Sequence, residues 1–245
     1  MRHAYYGRVS VSYVCLFMML VCYNIFAIRS VLSGESPYLD TKQPDQVAQI
    51  SVKDSFDDAV QAVKERDFQR AIQLFSKLSQ TVQYDGQYEA QFNLALLLKQ
   101  GKGRPQNYAE ALYWARRAEL GGIEKSKDFA DSLSDRITED QHTEILTRIK
   151  NALLKEIDQG AIDTLPQLAT YHITLLDDYD YAQAYLWFAL GAALDLPEQD
   201  IRRTEMEDEL DTEQIATLQR ETTKLFDALL SGESLEIMLR PIEKE

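Results

Sequence analysis

The chain has 245 residues, enough for one sizeable domain and an anchor. It carries 26 Lys and Arg against 40 Asp and Glu, a formal net charge of −14, and every acidic residue lies after position 34. That balance leaves no basic stripe for nucleic acid, and such a surface repels phosphate and anionic headgroups. Glycine and proline are few and gather at turns, helix formers dominate, and no alternating run is long enough to argue for a sheet, so the expected class is all-α.

In chain order, residues 1–8 contain Arg2 and Arg8 and read as a cytoplasmic N-terminus by the positive-inside rule. Residues 9–28 carry no charge, and Arg29 follows them. Twenty residues at about 1.5 Å each span about 30 Å, the thickness of a bilayer core. Residues 9–29 therefore read as a transmembrane signal-anchor, with the rest of the chain in the periplasm and the protein single-pass in the inner membrane. Val31-Leu32-Ser33 before Gly34 also offers a cleavage site, so anchor and cleaved leader both stay open. Cys15 and Cys22 both sit in the apolar run, which leaves residues 30–245 without cysteine and without an internal disulfide. Residues 30–54 turn to Ser, Pro, Asp, Gln and Lys and read as a flexible linker. Ser55, with Asp58 three residues on, is the expected start of the folded part.

A phrase then recurs. Asp67-Phe68-x-x-Ala71-Ile72-x-x-Phe75 returns as Asn107-Tyr108-x-x-Ala111-Leu112-x-x-Ala115 and as Asp180-Tyr181-x-x-Ala184-Tyr185-x-x-Phe188. The last two copies are 73 residues apart, and Trp114 falls on Trp187, Asp135 on Asp208 and Gln141 on Gln214 at the same offset. A fixed period of this kind marks a repeat architecture. Asp67, Asn107 and Asp180 are expected helix N-caps, and Glu110 and Gln183 are placed to complete capping boxes for the last two. Thr138…Gln141 and Asp211…Gln214 are expected capping boxes of two long helices. Before the middle phrase, Ala90, Leu94, Leu97 and Leu98 form one face of an amphipathic helix, which Gly101-Lys102-Gly103 ends. Gly121-Gly122 ends the second helix of that hairpin.

The run from Ala90 to Gly121, with Leu94, Gly101, Gly103, Tyr108, Ala111, Trp114 and Ala118 in place, closely resembles the Sel-one-like repeat, a subclass of tetratricopeptide-like repeats. Tyr181, Ala184 and Trp187 carry the resemblance into residues 161–195, where Asp177-Asp178-Tyr179-Asp180 replaces the Gly-x-Gly loop. Residues 55–86 look like a generic tetratricopeptide hairpin. The expected layout is thus a helical-repeat solenoid: a hairpin over 55–86, a Sel-one-like repeat with a long helical pair over 87–158, a second repeat with a long helix over 159–232, and a tail over 233–245. Ala90, Leu94, Gly101, Gly103, Tyr108, Ala111, Trp114 and Ala118, with Tyr181, Ala184 and Trp187, are expected repeat core.

Little in the sequence points to chemistry. His3, His142 and His172 make no ligand set, and residues 30–245 hold no cysteine nucleophile. Gly101-Lys102-Gly103 lacks the strand and the Lys-Ser/Thr ending of a phosphate loop, and Asp177–Asp180 lacks the spacing of a calcium loop. The expectation is no catalytic, cofactor or metal site. Stacked helical pairs present a broad face to other proteins. Periodicity places Gln91, Asn93, Lys99 and Gln100, and later Gln167, Thr170 and Thr174, on that face. The resemblance implies an adaptor in an assembly, and small exported members of the family are similar in layout to flagellar-motor ring components. The expected function is a non-catalytic scaffold of an envelope complex, with the membrane met through residues 9–28 and no nucleic acid partner. The alternatives are a peptidoglycan-binding or cell-wall-modifying enzyme subunit and a periplasmic chaperone.

Overall fold

The computed structural model describes residues 46–82 and 86–234, with side chains from residue 55 onward. The expected cytoplasmic end, the membrane segment and tail residues 235–245 lie outside the described residues. The chain divides into two units, 1–51 and 52–245. In the first, residues 46–51 are helical; the second holds the repeat array. Among the described residues there is no strand, and no helix is long and apolar enough to cross a membrane.

Helix α1, Gln46–Lys64, corrects the expected linker: it begins nine residues before Ser55. No glycine or proline lies between 46 and 64, so nothing local stops the helix from growing back. Helix α2, Phe68–Ser79, follows the Asp67 cap, whose carboxylate accepts the Arg70 N–H. Ala59 and Ala71 are fully buried, and Phe56 meets Phe75 edge to face at 5.7 Å. Both alanines belong to the common core, and the aromatic pair joins the two helices.

Helices α3, Gln87–Gln100, and α4, Tyr108–Leu120, form the middle hairpin. Gly101 ends α3 in the left-handed conformation, φ 65°. Gly103 is required by space as well as by φ. A Cβ there would stand 2.4 Å from the Phe68 carbonyl oxygen, so the loop rests on the first turn of α2. The order continues with α5, Glu124–Ser134, α6, Glu139–Asp158, a 3-10 turn at Ile162–Thr164, α7, Leu165–Thr174, α8, Tyr181–Ala193, α9, Gln199–Glu207, and α10, Thr212–Ser231.

The 73-residue offset is an offset of helices. α8 begins and ends 73 residues after α4, and α10 begins and ends 73 residues after α6. The duplicated unit is therefore four helices, α3–α6 and then α7–α10. Successive helices pack in order through most of the array, and α4 also touches α6 and α7, while α8 also touches α10. One apolar core runs from Ala59 to Leu229. Ala90, Ala111, Ala118 and Ala184 are fully buried, Leu94 and Trp187 nearly so, and Trp114 is 8% exposed; Tyr108 and Tyr181 are half-buried.

Capping follows the sequence with one systematic difference. Thr138 with Gln141 and Asp211 with Gln214 form complete capping boxes. Asn107 and Asp180 accept the N–H of Glu110 and Gln183, but neither side chain reaches back, so these are single caps rather than the expected boxes. Both cap amides are already used: Asn107 N–H donates to the Leu98 carbonyl at 3.2 Å and Asp180 N–H to the His172 carbonyl at 3.0 Å, and Glu110 has other partners of its own. Its carboxylate accepts from Trp114 Nε1 at 2.8 Å and from both Arg148 guanidinium nitrogens at 2.6 and 3.0 Å. A charged, forked donor holds that carboxylate away from its own helix start.

Candidate functional site

The two copies meet where α7 lies against α4 and α6. The closed end of that junction is built from polar groups. Arg117, 2% exposed, gives Nη2 to both Glu156 carboxylate oxygens at 2.8 Å, tying α4 to α6. Gln167 of α7 donates its Nε2 to the Tyr88 hydroxyl of α3. The Tyr88 ring lies on Gly121, where a Cβ would come within 2.2 Å of it. Burial pushes the Tyr88 hydroxyl above its ordinary range, against the pull of Arg117 and of the Gln167 hydrogen bond. The phenol is thus neutral at physiological pH, and these contacts make this end of the junction a fixed seam.

The other end is open. Asp131, Ser134 and Asp135 around the end of α5 face Thr174 at the end of α7, and Asp177 and Tyr179 beyond it, across a groove that Arg116 and His142 also line. Arg116 is already engaged, with Glu119 at 2.7 Å and Asp131 at 2.8 Å. Asp135 and Asp177 hold no ion pair among the described residues. Tyr179 is 54% exposed, one of three large hydrophobic side chains left so open among the described residues, and meets Tyr181 edge to face at 6.1 Å. A cationic side chain laid here would find carboxylates for its charge and an aromatic face for its stem.

His172, close by in sequence, belongs to the core rather than to this groove. It is 7% exposed, and burial holds its pKa down to about 4, with Asp180 opposing and Lys150 assisting. Its Nδ1 lies 4.0 Å from Asp180, beyond hydrogen-bond distance. The ring is neutral at physiological pH, so that approach is not an ion pair. Among the described residues no three His, Cys, Asp or Glu side chains gather as a metal site.

The residues expected on a docking face separate into two groups. Gln91 and Gln167 are corrected: they are 0% and 5% exposed. Gln91 gives its Nε2 to the Ser79 carbonyl at 3.1 Å, a carbonyl at the end of α2 that Gln87 also reaches at 3.3 Å. Both glutamines satisfy buried polar groups between helices, and their sequence spacing cannot show this because the partners are 12 and 79 residues away. Asn93 and Thr170 are half-buried, and Asn93 bonds back to its own helix. Lys99 lies over the Phe129 ring at 4.6 Å and reaches Ser132 Oγ at 3.4 Å, which carries it onto α5. Gln100 and Thr174 are exposed, and Thr174 lines the groove. Tyr179, Asp135 and Asp177 were not among the expected docking residues. The available signal was Tyr179, an aromatic at the loop position where the first copy has Gln106.

No family model matches the chain. No curated protein matches it either. Among solved structures, the chain is similar to a protective antigen present in uropathogenic Escherichia coli strains displaying an SLR fold, at 17% identity and a TM-score of 0.25. The likeness covers 72% of this chain and 44% of that one, so the chain spans less than half the length of the antigen. An overlay this loose does not define the fold. The helical-repeat character rests on the helices themselves and on their common 73-residue register.

Proposed function

We propose that the chain is a non-catalytic adaptor of the Sel-one-like type, held in the inner membrane through residues 9–28, facing the periplasm, and docking a protein of an envelope complex in the groove between its two copies. The observation that carries the reading is the pairing of an exposed Tyr179 with the uncommitted carboxylates of Asp135 and Asp177 at an open junction. Large exposed aromatics are enriched at binding centres, and unpaired charges beside them select the sign of the partner. The docking segment would carry lysine or arginine. The flagellar-motor connection rests on the family resemblance in layout and is one case of this reading.

The test is in-cell crosslinking of the tagged full-length chain, compared with a variant carrying Tyr179→Ala and Asp177→Arg. One or a few stoichiometric envelope proteins should be recovered with the native chain and lost with the variant. An unchanged set of recovered proteins would overturn the groove as the docking site. Cell-wall fragments recovered in place of proteins would replace the adaptor by a wall-binding protein.

A further inference from the structure

α5 divides its surface between two kinds of side chain. Glu124, Asp128, Asp131 and Asp135, at i, i+4, i+7 and i+11, follow one stripe of the helix and its cap, and the last two line the groove between the copies. Lys125, Phe129 and Ser132, at i, i+4 and i+7, follow another, which meets α3. There four side chains form a row across two helices. The Lys125 ammonium lies 4.8 Å from the centre of the Phe92 ring, Phe92 meets Phe129 edge to face at 5.5 Å, and the Lys99 ammonium lies 4.6 Å from the centre of the Phe129 ring. Neither ammonium has an ion pair among the described residues, in a chain with 40 acidic side chains to 26 basic ones. A ring face attracts an ammonium but leaves its charge unneutralised. The second copy does not repeat the row: 73 residues on from Lys125, Phe92, Phe129 and Lys99 stand Glu198, Leu165, Arg202 and His172. The row is therefore not part of the packing that the two copies share.

α9 carries the complementary set. Ile201 is 58% exposed, the most open of three such large apolar side chains among the described residues. Ile201, Glu205 and Asp208, at i, i+4 and i+7, share one face of that helix around a shallow depression that Asp200 also lines. Arg202 holds Glu205 at 2.9 Å, and Arg203 approaches Glu207 at 3.7 Å. Asp200 and Asp208, both exposed, are left without an ion pair among the described residues. An isoleucine flanked by two uncommitted carboxylates thus matches, in sign and in kind, a pair of rings flanked by two uncommitted ammonium groups.

We propose that the Lys125–Phe92–Phe129–Lys99 row of one molecule binds the Ile201 face of α9 in another, so that the chain associates head to tail. The occupant is a second molecule of this chain because the two patches are opposite in charge, each sets charged flanks about an apolar centre, and neither charged set is neutralised within its own molecule. Complementary charges of this kind fix the register of a contact and reject partners of the wrong sign. The row lies on helices of the first copy, whereas α9 packs on α8 in the second, so the contact joins two molecules. Because the two patches differ, the contact is heterologous, and each end of the assembly keeps one free patch.

The test uses the full chain in a mild detergent, with molecular mass by sedimentation equilibrium as the readout. The native chain should gain mass with concentration, from one molecule upward. Lys125→Glu and Ile201→Lys, both at exposed positions, should each remain single over the same range. Mixed in equal amounts, the two variants should double in mass and go no further, because each keeps the patch that the other has lost. That pairing also shows that both variants are folded. A native chain that stays single would overturn the proposal, as would a variant that still associates by itself or a mixture that does not pair.

Discussion

The two four-helix copies place their helices at the same positions and hold them together by different chemistry. In the first, α4 is tied to α6 by ions: Arg117 to Glu156, and Arg148 to Glu110, with Trp114 on the same carboxylate. In the second, the same positions carry Leu190 and Leu229, and Glu221 and Gln183, with Trp187 in place of Trp114. Leu190 and Leu229 are both buried, and Trp187 Nε1 has no hydrogen-bond partner. What the copies share is smaller and more local: buried Ala111 and Ala184, the N-caps Asn107 and Asp180, and the boxes at Thr138 and Asp211. Caps and small crossing residues are common to the two copies, and the ties across helices are not. An ion pair and a pair of leucines are alternative ways to fill one position.

The comparison breaks most visibly at the tryptophans. Trp187 is 1% exposed with nothing but packing to hold it, so Trp187→Ala should cost about 3–5 kcal/mol in denaturant unfolding. Trp114 is 8% exposed and its indole N–H is held by Glu110. If Trp114→Ala proved the more costly, the hydrogen bond rather than the buried ring would be the larger contribution.

The next effect tests the exchange of ions for leucines directly. Arg117→Leu alone leaves Glu156 facing an apolar neighbour and should cost about 3 kcal/mol, near the low end for a broken buried pair because Glu156 keeps some access to water. Arg117→Leu with Glu156→Leu reproduces the second copy's pair and should recover most or all of that loss. A double variant as unstable as the single one would show that the two copies are not interchangeable at this position.

The third effect belongs to the second copy, since the first has Lys99 where it has His172. The folded His172 has a pKa of about 4 against about 6.5 when unfolded. Between those values the unfolded chain binds a proton that the folded chain does not, so stability rises with pH through that window. The contribution is complete above about pH 6.5 and is lost progressively as pH falls toward 4, by about 3 kcal/mol in all. His172→Gln should flatten this part of the stability profile, measured by denaturant unfolding at several pH values. An unchanged slope in the variant would assign the acid sensitivity to other groups.

The sequence and the structure agree where the causes are local. Caps and the glycine at 101 are fixed by neighbours within a few residues, so spacing reveals them. Gln91 and Gln167 are the opposite case. A glutamine beside an amphipathic stripe has the pattern of a surface residue, and only a carbonyl or hydroxyl brought in from another helix makes it an interior one. The groove was hidden for a related reason: its two sides, Asp135 and Asp177, lie 42 residues apart and meet only once α7 has docked.

The smallest effect concerns Glu110, where local and distant partners compete. Burial raises its pKa, but the Arg148 hydrogen bond and charge, helped by Trp114, hold it below the usual carboxylate value. A carboxyl depressed in the folded state stabilises above its unfolded pKa and loses that contribution as pH falls through the folded value, so this term fades below about pH 4.5. Arg148 and Glu110 are 47% and 28% exposed, and salt screens them, so Arg148→Ala should cost less than about 1 kcal/mol. Denaturant unfolding of Arg148→Ala checks this, and a loss well above about 1 kcal/mol would show that the pair is held more tightly than a screened surface contact.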